Sequence, residues 1–398
     1  MRRILLLALA GAFFAFSGIK AQIYKGEAIQ MLLLNQPDAR TEAMGRGSAA
    51  LGGSPFMNIF NPAASSLSAE GASTQISHLE FTFLYGVKAN YDTYGAGVNL
   101  GKFGALGFNF MHFSWGFKVM NTGENLISLA EPSSPYSNIY SINYSRNIFE
   151  GLKAGINLNY FDDESGRLSR TAWTLDAGLM NKLTFGDAIL GHELTLGLSF
   201  SNVSNSKIKT DVDNRIAAQF ILGRYENIEI EEDSRDHVID LRPYYLPGED
   251  ITGSYLPSAM RLAAAYEIRP GLISGNFRLI SAIISAQYQD LLNSKYFTRY
   301  SFGAEIKILE MLSLRGGWLK ETRDNMDFYR FPKSVEGTTY GFGVELPVGK
   351  VISSSLPLMV KFDQSSIANG TVSSMAPYVG LKEGKRTLAY TLNVSYNF

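Results

Sequence analysis

The chain of 398 residues carries 36 Lys and Arg against 37 Asp and Glu, a net charge of −1, with charged residues at 18% and no cysteine. That balance excludes the basic footprint of a nucleic-acid binder, and the missing thiols exclude disulfides, zinc–thiolate centres and a cysteine nucleophile. With 38 Gly, 21 Tyr and 25 Phe, a mean hydropathy of −0.02 and a charge fraction below the roughly 25% usual for soluble domains, the composition suits a large all-β protein.

Met1-Arg2-Arg3, the apolar run from Ile4 to Phe16, and Ile19-Lys20-Ala21 before Gln22 read as a secretory signal peptide over 1–21. The run is too short for a membrane-spanning helix, which needs about 20 apolar residues.

Residues 22–72 show no strand periodicity. They are rich in Ala, Gly and Ser around the short apolar piece Met31 to Leu34, and read as a compact, partly helical segment. Pro37 fixes its own φ, Asp38 is placed to cap a following turn, and Gly45 and Gly47 permit close backbone approach to a wall. Arg40 and Arg46 require carboxylates.

From 73 onward, apolar and polar residues alternate with a period of two, which means strands. Leu388, Tyr390, Leu392, Val394, Tyr396 and Phe398 share one face at the end of the chain, with Ala389, Thr391, Asn393, Ser395 and Asn397 on the other. Seven strands fall at 74–87, 91–101, 104–118, 138–148, 151–161, 171–184 and 192–203. Seven more fall at 258–268, 277–289, 297–308, 311–320, 337–347, 356–364 and 386–398. An even number of strands with short turns at one end and longer loops at the other predicts a transmembrane antiparallel β-barrel of about 14 strands over 73–398. A lumen of that width has room for 22–72 as an N-terminal plug. Phe113, Trp115, Phe117, Tyr396 and Phe398 are assigned to interfacial aromatic girdles, and Tyr396 and Phe398 also to the C-terminal assembly signal.

The inward faces hold the carboxylates Asp176, Glu267, Glu305 and Glu345 and the bases Lys153, Arg261, Arg299 and Lys307. These are expected to pair chiefly with one another, since charges within a membrane protein are ordinarily paired. Gly95 and Gly97, and Gly341 and Gly343, lack the context of a nucleotide loop and are expected to give room to the plug. His78, His112, His192 and His237 are scattered, no Gly-x-Ser-x-Gly elbow exists, and His237 beside Asp236 and Asp240 is the one rim candidate for hydrolysis. The chain therefore reads as non-enzymatic, without metal or cofactor. The loop 203–257 is acidic, and Tyr225, Glu231, Arg242, Tyr244 and Tyr245 within it form a candidate docking surface for a protein partner.

Pro37-Asp38-Ala39-Arg40, then Ala43-Met44-Gly45-Arg46-Gly47 and Asn61-Pro62-Ala63 just before the first strand, resemble the N-terminal region of PorV/PorQ-type outer-membrane proteins. Those belong to a wider FadL-like group of 14-stranded barrels with an N-terminal hatch. The resemblance implies an outer-membrane location in surrounding lipid. It also implies a part in type IX secretion, with the translocon and the C-terminal domains of secreted proteins as partners. The alternative it implies is FadL-like transport of hydrophobic small molecules such as long-chain fatty acids.

Overall fold

The computed structural model describes residues 38–67, 71–82, 88–115, 136–165, 168–185, 190–204, 209–212, 256, 258–270, 273–274, 277–292, 298–322, 334–351, 357–368 and 386–397. The signal-peptide segment, Met31 to Leu34, Pro37, Phe117, Phe398, His237 and the loop residues Tyr225, Glu231, Arg242, Tyr244 and Tyr245 lie outside them.

Two short helices come first, α1 (Ala39–Ala43) and α2 (Met57–Phe60), followed by a 3-10 turn at Pro62–Leu67. The strands then run β1 (Gly71–Thr82), β2 (Lys88–Asn99), β3 (Ala105–Trp115), β4 (Tyr136–Phe149), β5 (Leu152–Ser165), β6 (Leu168–Phe185) and β7 (Leu190–Ser201). After the short β8 (Lys209–Val212) come β9 (Ala259–Pro270), β10 (Ile273–Ser274), β11 (Phe277–Arg278), β12 (Ile280–Leu291), β13 (Thr298–Ile308) and β14 (Leu312–Thr322). The last are β15 (Ser334–Pro347), a helical turn α3 (Val348–Val351), β16 (Leu358–Ala368) and β17 (Arg386–Asn397).

Every barrel strand pairs antiparallel with its two neighbours, β1 closes against β17, and β5 pairs with β6, so the sheet joins up with itself. Leaving out β8, β10 and β11, the result is a closed antiparallel barrel of 14 strands. Closure removes the unpaired backbone groups that hydrocarbon would penalise. Among the described residues no helix is long and apolar enough to cross a membrane. The barrel strands are 11 to 18 residues long, and about 9–11 tilted residues suffice to cross a bilayer.

The alternation that defines the strands also sorts the side chains. On β17, Leu388, Tyr390, Leu392 and Tyr396 are exposed, while Ala389 and Thr391 between them are buried. The same holds around the wall: Ile142, Trp173, Ile284 and Phe302 are more than half exposed on the outer face, as expected where lipid is the solvent. The turn after β13 is tight, three residues between Ile308 and its register partner Leu312, with Leu309 and Glu310 both at positive φ (54° and 57°).

One expectation is corrected here. Phe113 is not a girdle residue: it is 1% exposed and points inward. Leu106 and Phe108 on the same strand are each 47% exposed, so the even positions of β3 face lipid and the odd positions face the lumen.

Candidate functional site

Residues 38–67 lie against the buried faces of strands all around the barrel, which places them in the lumen. Ala39 N donates to Thr391 Oγ1 on β17 (2.9 Å), and Gly45 N donates to Thr339 Oγ1 on β15 (3.1 Å). Ser48 N and Ala49 N both donate to Gln287 Oε1 on β12 (3.0 and 2.8 Å). On the opposite wall, Asn143 Nδ2 of β4 donates to Pro62 O (2.9 Å), and Asn157 Nδ2 of β5 donates to Asn58 O (2.8 Å). The segment satisfies part of its backbone within its own helical turns and part through these wall side chains.

Locally, Asp38 caps α1: its Oδ1 accepts from Thr41 N at 2.7 Å. Asn61 holds the second bend, with Nδ2 donating to Ala49 O (2.7 Å) and to Leu179 O of β6 (3.2 Å), and Oδ1 accepting from Ala63 N (3.1 Å). Pro62 then starts the 3-10 turn that leads out to β1.

The approach is so close that several wall positions admit no Cβ. At Gly155 an added Cβ would overlap the Pro62 carbonyl, and at Gly197 the Ala49 carbonyl. At Gly317 it would overlap Gly45 N, while Gly45 itself has φ +68° and its own Cβ would meet the carbonyls of Phe302 and Trp318. Of the four strand glycines expected to make room for the segment, Gly95 faces the Phe56 ring and Gly341 approaches Ala43. Gly343 instead accommodates the Arg315–Asp363 pair, and Gly97 meets only strand atoms. The spacing is the same in both pairs, but one glycine of each meets the inserted chain and the other meets the wall.

The β12–β16 side of the lumen is charged. Arg40 binds Glu305 bidentately, Nε to Oε2 at 3.0 Å and Nη2 to Oε1 at 2.9 Å. Glu305 also accepts from Arg315 Nε, and Arg315 Nη1 reaches Asp363 Oδ1 at 2.7 Å. Arg46 pairs with Glu42 one turn back at 2.9 Å and faces Glu321 at 3.6 Å, which also binds Arg299 at 2.6 Å. Lys307 and Lys361 both bind Glu345. Burial pushes the Asp38 and Glu42 carboxyls above the ordinary carboxylate range, Arg46 pulling the latter partly back. For Arg40, burial works against the charge but Glu305 outweighs it, so the guanidinium is held more firmly protonated than usual.

The other expected lumen charges behave differently. Asp176 is held by amides rather than by a base: it accepts from Asn202 N (2.8 Å) and from Asn159 Nδ2 (2.7 Å) where β7 ends. Arg261 donates to Gln289 and Ser201 and stacks its guanidinium 4.8 Å from the Phe60 ring centre. Glu267 pairs with Arg269, and Lys153 donates to Asn147.

The inner face of the β1–β6 wall also carries a group of large apolar side chains. Leu79, Tyr91, Phe113, Ile139 and Phe161 are each at most 2% exposed. They are register neighbours: Leu79 faces Tyr91, Tyr91 faces Phe113, Met111 faces Ile139, and Ile139 faces Phe161. Tyr91 spends its hydroxyl on Met111 Sδ (3.3 Å) and packs its ring 6.4 Å from that of Phe113. This apolar group, set among the buried polar side chains Ser77, Thr93, Ser137 and Asp163, is the least expected feature of the wall.

Three of the four histidines fall among the described residues, all on the outer face: His78 pairs with Asp92 (2.6 Å), His112 with Asn138 (2.7 Å) and His192 with the Tyr266 hydroxyl (2.9 Å). No group of His, Asp and Glu with metal-ligand proximity occurs among the described residues. Sequence reasoning missed Glu42, Glu321, Gln287 and Thr339. Only Glu42 carried a local signal, its i, i+4 spacing to Arg46.

No family model matches the chain, and no curated protein matches it. Among solved structures, the toluene transporter TodX of Pseudomonas putida aligns over 96% of this chain and 100% of its own, at 12% identity and a TM-score of 0.44. A FadL homologue of Pseudomonas aeruginosa aligns over 91% and 99%, at 11% identity and a TM-score of 0.42. The toluene transporter TbuX of Ralstonia pickettii aligns over 92% and 100%, at 10% identity and a TM-score of 0.42. These likenesses are too distant to carry an argument about this chain, whose closed 14-stranded barrel stands on its own strand pairing.

Proposed function

We propose that the chain is an outer-membrane barrel that admits hydrophobic small molecules from outside, with 22–72 as the plug that closes its lumen. The observation that carries this reading is the inner apolar group of Leu79, Tyr91, Met111, Phe113, Ile139 and Phe161. Binding sites for small molecules are mostly apolar with few polar groups, and burying an apolar ligand there is worth roughly 25 cal/mol per Å². A barrel serving ions or sugars needs polar residues at those positions.

Purified protein in detergent should bind a fluorescent long-chain acyl probe or toluene, and cells expressing it should take the probe up faster than cells without it. Phe113→Asp places a charge among apolar side chains and should lower binding at least about tenfold, because an unpaired buried carboxylate is costly. Ile142→Asn, on the lipid side, should leave binding unchanged. Equal binding by the wild type and Phe113→Asp would sink the transport reading. The secretion reading rests on the 37–63 motif and the 225–245 loop; a translocon barrel or a cargo C-terminal domain recovered with the protein, and no bound probe, would favour it instead.

A further inference from the structure

The outer face of β1–β6 is apolar up to one level and then changes abruptly. Leu106, Phe108, Ile142, Ile156 and Leu158 are between 46% and 59% exposed below it. Above them a polar row crosses five strands in register: His78 opposite Asp92, Asp92 opposite His112, His112 opposite Asn138, and Asn138 opposite Asp162. The next level holds Asn90, Ser114, Tyr136 and Glu164, again register partners. In a membrane this step marks the passage from acyl chains to headgroups, the depth at which the ester bonds of lipids lie.

Within the row, one set of hydrogen bonds is directional. Asn138 turns its Oδ1 to His112 Nδ1 at 2.7 Å and hydrogen-bonds Asp162 on its other side. A neutral His112 that donates from Nδ1 to this oxygen presents Nε2 as the base. Ser114 lies two residues further along the same strand and on the same face. Such positions are about 6.6 Å apart along a strand, within the combined reach of an imidazole and a serine hydroxyl. The arrangement has the logic of a nucleophile, a base, and a third group that sets the base's tautomer. A row that served only as a headgroup boundary has no need for an asparagine oriented from both sides.

We propose that Ser114, His112 and Asn138 form an esterase site on the outer wall, acting on acyl esters of the surrounding lipid. Ser114 Oγ attacks the ester carbonyl carbon while its proton passes to His112 Nε2. The tetrahedral adduct collapses by breaking the bond to the alkyl oxygen, and the lipid alcohol leaves with the proton from Nε2. Water then attacks the acyl-serine, gives its proton to Nε2, and releases the free acid as the proton returns to Ser114. One ester and one water yield one acid and one alcohol. Asn90, the register partner of Ser114 on β2, would supply the amide that donates to the developing oxyanion. Asn138 and Asp162 are positioning residues.

The test uses the full-length barrel in detergent, with heat-modifiable mobility as the check on folding. A fluorophosphonate probe should form an adduct that mass spectrometry places on Ser114. Fatty acid should be released from phosphatidylethanolamine in mixed micelles. Ser114→Ala and His112→Ala should each lower that release by about 10³-fold or more. Asn138→Ala should lose less and slow probe labelling, while Asn138→Asp should restore part of both. A folded wild-type barrel that forms no Ser114 adduct and releases no more fatty acid than Ser114→Ala overturns the proposal, as does release that survives Ser114→Ala.

Discussion

Replacing Glu305 with Ala should destabilise the protein by about 3–5 kcal/mol, the cost of leaving a buried charge without its partner. Glu305 is bound by both Arg40 of the inserted segment and Arg315 of the wall. Its loss leaves Arg40 with the Gly52 carbonyl and leaves Arg315 leaning on Asp363. The urea midpoint of the barrel refolded into vesicles should fall accordingly. Glu336→Ala is the comparison: Glu336 is also salt-bridged, to Lys320 at 3.7 Å, but the two side chains are 53% and 44% exposed. Exposed pairs contribute little, so that variant should match the wild type.

Adding a methyl group at the right glycines should open the lumen. Gly155→Ala and Gly197→Ala each drive a Cβ into a backbone carbonyl of the segment, Pro62 O and Ala49 O respectively. Backbone cannot rotate aside as a flexible side chain does, so overpacking of about 1–3 kcal/mol per site should push the segment off the wall. The double variant should insert normally, conduct more in planar bilayers, and expose residues 38–67 to protease. Gly316→Ala, which has no atom within 4 Å of the added carbon, should behave as the wild type. A double variant with unchanged conductance and protease resistance would mean that the segment does not seal the lumen.

The barrel is legible in the sequence because lipid imposes one rule on every strand. The 388–398 alternation can be read with no knowledge of its neighbours, and fourteen such segments suffice to close a barrel. What faces what is harder to read. Phe113, Trp115 and Phe117 look like a girdle in isolation, and only the exposure of Leu106 and Phe108 on the lipid face fixes the parity of β3 and turns Phe113 inward. The inner apolar group is invisible for the same reason: its members come from different strands and meet only through register. The partners of Arg46 are equally hidden, since nothing local distinguishes Glu321, which faces it, from Glu267, which serves Arg269. Asn138 carries no local signal as a partner for His112, because the two are 26 positions apart and meet only across β3 and β4.

The placement of residues 38–67 inside a membrane-inserted barrel is the point on which plug, apolar group and transport all depend, and the absence of cysteine makes it directly measurable. A Cβ built on Gly47 stands 3.6 Å from the Ser301 Cβ on β13, within the roughly 3.5–4.5 Å that a disulfide requires. Gly47→Cys with Ser301→Cys, expressed in cells and oxidised in isolated outer membranes, should form an intramolecular bond in nearly every molecule, giving a mobility shift that reductant reverses. Gly47→Cys with Phe302→Cys should form none, because Phe302, the next residue on β13, is 52% exposed on the outer face. If the first pair stays reduced, or the thiol introduced at position 47 reacts with a membrane-impermeant reagent added to the periplasmic face as fast as an exposed cysteine does, the segment is not held against the lumen wall.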